Sequence, residues 1–240
     1  MALTKAQIQD VAERICSILA SHAAHGLATS SLEGMGEITL RDSMVVAAAA
    51  AGSEQKQAWV LTREVLPTGW TDSAVDLTIY RRGNNDELRE VGAVELKWWR
   101  QEDKGNASNR RRDLVKDFIR AGALYPSMES FSFVALLSTE VSWDTTTATR
   151  QADQPAMELV SGADSQKWKI EDLKGCPAIR GALHSLNGRV PIPNIFHTKV
   201  LATLDLHLAS GRTAFARVWS VNKPQRTKVL SKDDVKKLLK

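Results

Sequence analysis

The alternation of apolar and polar positions divides the chain into helical and extended stretches. Behind a Thr4 cap, Ile8, Val11, Ile15, Ile18 and Leu19 recur at helical spacing, which predicts an amphipathic helix over 4–25 that Gly26 stops. Small and polar residues over 28–36 predict a loop. Glu37 then opens an Ala/Val-rich run reaching Gly52, read as a second helix buried on most sides. Three runs rich in β-branched and aromatic residues follow at 57–67, 73–81 and 90–98, the first closed by Pro67, Thr68 and Gly69. Residues 81–87 join the last two runs with a polar, Gly/Asn-containing turn, so adjacent antiparallel strands are the most economical reading.

Beyond a polar loop at 101–108, a helix is expected over 109–124, with Leu114, Val115, Phe118, Ile119 and Ala121 inward and Arg110, Arg111, Arg112, Lys116 and Arg120 outward. Pro126 breaks it. The continuous apolar run at 131–139 suits a strand buried on both faces. Residues 144–164, rich in Thr, Ala, Gln and Asp, read as a loop or lid, and 169–186 as partly helical around Gly175 and Pro177. The alternating stretches 195–208 and 212–221 flank Ser210 and Gly211 as a β-hairpin, and the charged tail ends in a short helix. The expected class is α/β, a single domain over 1–240.

Composition narrows this picture only a little. The 240 residues are 25% charged and 43% hydrophobic, ordinary for a globular protein, and the net charge of +4 leans towards a polyanionic partner. Cys16 and Cys176 stand far apart without a Cys/His cluster, so neither a zinc site nor a disulfide framework is indicated. The N-terminal residues carry charges in place of a long apolar core, and no run is long enough to span a membrane, so a cytoplasmic location is expected.

The candidate chemistry lies in the second and third predicted strands. Asp76 sits in an apolar strand, and Glu95 and Lys97 project to one face of the next while Val94, Leu96 and Trp98 project to the other. Pairing of these strands brings Asp76 towards Glu95, and two adjacent carboxylates repel unless a cation lies between them. A hard cation such as Mg²⁺ takes oxygen ligands and commonly one or two protein carboxylates, and a neighbouring lysine orients water or offsets phosphate charge. The bland reading of Glu95 and Lys97 is an ion pair on an exposed strand, worth little.

The order helix, three-strand meander, helix, strand, together with Val75-Asp76, Glu95-Leu96-Lys97 and the following helix containing Arg112-Asp113-Leu114, resembles the PD-(D/E)xK nuclease superfamily. The resemblance covers about residues 37–139. The N-terminal helix 4–25 and the elaboration at 140–240 lie outside it, and Val75 stands where the superfamily often has proline. It implies a restriction-endonuclease-like αβββαβ core with a mixed sheet, in which Asp76, Glu95 and the Leu96 carbonyl hold Mg²⁺, with Mn²⁺ as a substitute. Lys97 would then position or activate the attacking water. Many members add a glutamate from the helix before the first strand, for which Glu37 is the candidate, with Glu13 and Glu64 still open. Implied too are a nucleic-acid substrate, DNA first, and a homodimer for cutting both strands of a duplex. Arg110, Arg111, Arg112 and Lys104 are the candidate phosphate contacts, set against a solvated basic face. Of Trp98 and Trp99, one is expected in the core and the other free to stack on a base. The alternative is a catalytically inactive protein of this fold, acting as a nucleic-acid-binding or assembly subunit.

Overall fold

A computed structural model describes residues 3–83, 85–100, 106–124, 130–148, 152–207 and 211–240. Helices α1 (Lys5–Ala28) and α2 (Glu37–Glu54) precede strands β1 (Trp59–Val65), β2 (Val75–Arg82) and β3 (Leu88–Trp99). Helix α3 (Ala107–Leu124) and strand β4 (Phe131–Thr139) come next, then α4 (Glu140–Thr147), α5 (Gln154–Ser161), β5 (Gln166–Lys169) and α6 (Pro177–Leu186). The chain closes with β6 (Ile195–His207), β7 (Thr213–Asn222) and α7 (Lys232–Leu239).

Among the described residues all seven strands share one mixed sheet in the order β1-β2-β3-β4-β7-β6-β5, with β3 and β4 parallel and the other neighbours antiparallel. Helices α1 and α2 cover one face and α3 to α7 the other, so the apolar residues fall into two clusters separated by the sheet. β4 has both faces covered and every residue buried, as its uninterrupted apolar run predicts. The element order α2, β1, β2, β3, α3, β4 follows the expected helix, meander, helix, strand. The C-terminal hairpin is formed by β6 and β7, but it is more than an appendage: β7 pairs along β4 and widens the sheet.

Three local expectations need correction. Gly26 does not end the first helix, which continues to Ala28. Its missing side chain instead lets the chain fold back, since a Cβ there would lie 2.8 Å from Leu32 Cα. The segment 144–164 is largely helical, because Ala156, Met157 and Val160 give α5 an apolar stripe too short to stand out in sequence. Arg110, Arg111 and Arg120 are buried rather than outward.

Two core positions lend themselves to measurement. A side chain at Gly92 would overlap the ring of Phe131 on the parallel neighbour, so Gly92→Ala is expected to cost about 1–3 kcal/mol in chemical denaturation. Burial pushes the Cys16 thiol up to about 12 and raises Cys176 as well. Native protein at pH 8 should therefore resist a thiol reagent that labels both cysteines after unfolding.

Candidate functional site at the end of strands β2 and β3

The site arises because β3 outlasts its antiparallel partner. The β2–β3 register ends at Leu77 opposite Val94, just short of Asp76 and Glu95. Beyond that point the β3 edge has no strand to bond to, and buried backbone N–H groups need acceptors. Carboxylates supply them: Asp76 Oδ2 accepts from Leu96 N–H at 2.7 Å and Glu37 Oε1 from Trp98 N–H at 3.2 Å. A strand residue's N–H and C=O point to the same edge, so the Leu96 carbonyl faces the edge at which Asp76 bonds.

Glu95 and Lys97 point to the α3 face, where helix side chains meet them. Arg120 Nη2 lies 3.1 Å from Glu95 Oε1, and Asp117 Oδ2 lies 3.2 Å from Lys97 Nζ. Asp117 and Arg120 are themselves 3.4 Å apart, one helical turn from each other. Arg120 also donates to the Ser73 carbonyl at 3.1 Å and to that of Ala74, and stacks over Trp70, so it ties the segment leading into β2 to α3. On the other side Arg41 of α2 bridges Asp76 Oδ1 at 2.8 Å and Glu64 Oε1 at 2.6 Å.

Burial dominates the electrostatics. Glu95 is 1% exposed and Asp117 fully buried, and loss of water pushes both carboxyls upward. Arg120 opposes the rise at Glu95, which Asp117 and Asp76 reinforce; Lys97 and Arg120 oppose it at Asp117. Lys97 moves further up, chiefly because of Asp117 and against its own desolvation, with Glu37 and Asp76 adding to the effect, so it is an ammonium at neutral pH. The ion pairs leave capacity unused: among the described residues neither Glu95 Oε1 nor Asp117 Oδ2 receives an aligned hydrogen bond.

The sequence candidates separate cleanly. Asp76, Glu95 and Lys97 come together with Glu37 at one strand end. Glu64 joins only through Arg41 and is largely exposed, and Glu13 hydrogen-bonds Gln9, which reaches the Leu201 carbonyl on β6. Trp98 and Trp99 are both core residues, so neither offers a stacking face. Arg110 reaches the Ser142 and Arg100 carbonyls, and Arg111 pairs with buried Asp153 at 2.9 Å and donates to the Thr146 carbonyl. Both pin α3 to its neighbours and correct the expectation of phosphate contacts. Arg112 is half-exposed beside Asp113, and Lys104 lies outside the described residues. Sequence reading missed Asp117, Arg120 and Arg41. For Asp117 a signal existed, an acid at i+3 from Leu114 on the apolar stripe of an amphipathic helix.

Can these residues take a hard cation? Among the described residues no three acidic, His or Cys side chains are grouped so as to enclose one. Mg²⁺ commonly takes only one or two protein carboxylates, and the hard oxygens present are those of Asp76 and Glu95, each facing an arginine, and the Leu96 carbonyl. Compared with protein-family models, curated proteins and solved structures, the chain gives no match. The fold and site thus define an α/β protein with a mixed seven-stranded sheet and a buried carboxylate–lysine cluster. No helix among the described residues is long and apolar enough to cross a membrane.

Two measurements test this account. Arg111→Ala should destabilise by about 3–5 kcal/mol by stranding buried Asp153, whereas Arg112→Ala should stay within about 0.5 kcal/mol. The raised Glu95 carboxyl means that the folded chain holds a proton the unfolded chain releases just above the ordinary carboxylate range. Its stabilising contribution is present below that range and lost as pH rises through the folded value. Relative to the parent, Glu95→Gln should gain melting temperature as pH is raised from 4.5 to 7, and a flat difference would contradict the assignment.

Proposed function

We propose that the protein is a divalent-metal-dependent nuclease, hydrolysing phosphodiester bonds in DNA at the Asp76, Glu95 and Lys97 cluster. The observation that carries this reading is that Asp76, bonded to the Leu96 N–H at 2.7 Å, lies close enough to Glu95 to raise its carboxyl, with Lys97 on the same face as Glu95. Asp76, Glu95 and the Leu96 carbonyl would hold Mg²⁺ or Mn²⁺, with Glu37 close to the same edge. Such an ion, when bound, lowers the pKa of a coordinated water and offsets charge on the phosphoryl group.

The chain's own groups do the remainder. Asp117 keeps Lys97 an ammonium, so its part is to attract a phosphate oxygen and orient water rather than to remove a proton. Arg120 fixes Glu95 and the approach to Asp76 in one arrangement, so the carboxylates need no reordering when substrate arrives. Arg41 and Arg120 are the counter-charges of Asp76 and Glu95.

That last feature favours a second reading, a non-catalytic nucleic-acid-binding or assembly subunit, since both carboxylates already have arginine partners. Calorimetric titration with Mn²⁺ separates the two. Uptake in the parent that is lost in Asp76→Asn supports the enzyme; oligonucleotide binding equal in EDTA and Mn²⁺, without metal uptake, supports the subunit. For the enzyme, Asp76→Asn and Lys97→Ala should each lower Mg²⁺-dependent cleavage of labelled DNA at least about 100-fold, with the circular-dichroism spectrum unchanged. Failure of the parent to cut any single- or double-stranded DNA or RNA with either metal would overturn it.

A further inference from the structure

With Arg110 and Arg111 committed to the interior, a polyanion has to be met by other cations, and these are unevenly spread. Residues 166–240, from β5 onward, hold fifteen Lys and Arg against five Asp and Glu, a net of +10. Residues 1–165 hold seventeen against twenty-three, a net of −6. The basic character of the whole protein is therefore a property of its last third.

On α7 and the Lys240 that caps it the cations form a line. Lys232, Lys236 and Lys240 follow at i, i+4 and i+8 and are all exposed, while Val235, Leu238 and Leu239 pack on the core. At 1.5 Å per residue they span about 12 Å. The acids of this helix have local roles in its first turn: Asp234 completes a capping box with Ser231 and pairs with Lys228 at 3.0 Å, and Asp233 lies 3.4 Å from Lys236.

The line leads to the candidate site through a chain of contacts. Lys232 lies over Gly188, where a Cβ would meet its Cε at 2.5 Å. The adjoining Arg189 pairs with Asp72 at 2.9 Å, and its carbonyl accepts from Thr71 N–H at 3.1 Å. Ser73 and Ala74 follow directly, and their carbonyls are held by the same Arg120 that meets Glu95.

We infer that Lys232, Lys236 and Lys240, continued by Arg189, form the surface over which a nucleic-acid backbone runs to the Asp76, Glu95 and Lys97 site. This rests on the nuclease reading for its direction, while binding is measured separately from cleavage. Lysines on a helix face act as point charges towards phosphates, so the surface recognises backbone rather than sequence.

The test uses the full chain carrying Asp76→Asn, in EDTA, with fluorescein-labelled DNA of about 20 nucleotides, single-stranded and duplex, across a salt series. Adding Lys232→Glu, Lys236→Glu and Lys240→Glu should raise Kd at least tenfold and flatten the slope of log K against log salt by about 2–3. Replacing the same three lysines with arginine should leave both unchanged. Equal affinity and slope in the glutamate variant would overturn the inference, as would a parent that binds no oligonucleotide, or one that binds phosphatidylserine vesicles instead. If the surface effect appears but the unmodified chain cleaves nothing, the surface stands and the nuclease reading falls. If the unmodified chain cleaves and the glutamate triple cleaves equally well at limiting substrate, the surface falls and the nuclease reading stands.

Discussion

A carboxylate cannot remain buried without a counter-charge, and the arrangement around Glu95 follows from that constraint. Desolvation of an ion costs several kcal/mol even after relaxation, so the α3 face of β3 has to present a cation at that position. Arg120 does so, and because its guanidinium has five donors in a fixed plane, it also engages Asp117 and the carbonyls of Ser73 and Ala74. Asp117 in turn is offset by Lys97. The strand, the helix that follows it and the segment entering β2 are thereby coupled through one charge-balanced group of Glu95, Lys97, Asp117 and Arg120. Arg120 is the one cation that meets Glu95 directly, whereas Asp117 is shared between Lys97 and Arg120.

A second constraint is the length mismatch between β2 and β3. Where a strand continues past its neighbour, its N–H groups must find other acceptors, and here the side chains of Asp76 and Glu37 fill that role. The same hydrogen bonds that complete the β3 edge bring carboxylates from β2 and α2 to one point, so the acidic cluster follows from how the sheet ends. Structural satisfaction and candidate chemistry share atoms, which is why neither excludes the other.

Much of the architecture was legible in periodicity. Helical spacing in 4–25 and 109–124, the meander at 57–98 and the uninterrupted apolar strand at 131–139 each reappear within a few residues, because burial of one face imposes period 3.6 or 2 on the sequence. The helices within 144–164 were not legible, since eight residues give too few turns for a period to emerge. Arg110 and Arg111 misled for a different reason. Composition treats arginine as a surface residue, but their buried guanidinium groups are matched by carbonyls and by Asp153, which lies more than forty positions away from Arg111 in the chain.

By itself the sequence determined that the protein is α/β, that Asp76 and Glu95 lie on neighbouring strands, and that Glu95 and Lys97 share a face. These are properties of strand period and of the short connection between the two runs. Only the tertiary structure decided which cations answer those carboxylates, that Glu37 reaches the β3 edge while Glu13 accepts from Gln9 on its own helix, and that β7 joins β4 to make a single sheet. Each of those outcomes depends on contacts between residues distant in sequence, and such contacts leave no periodic trace in a single chain.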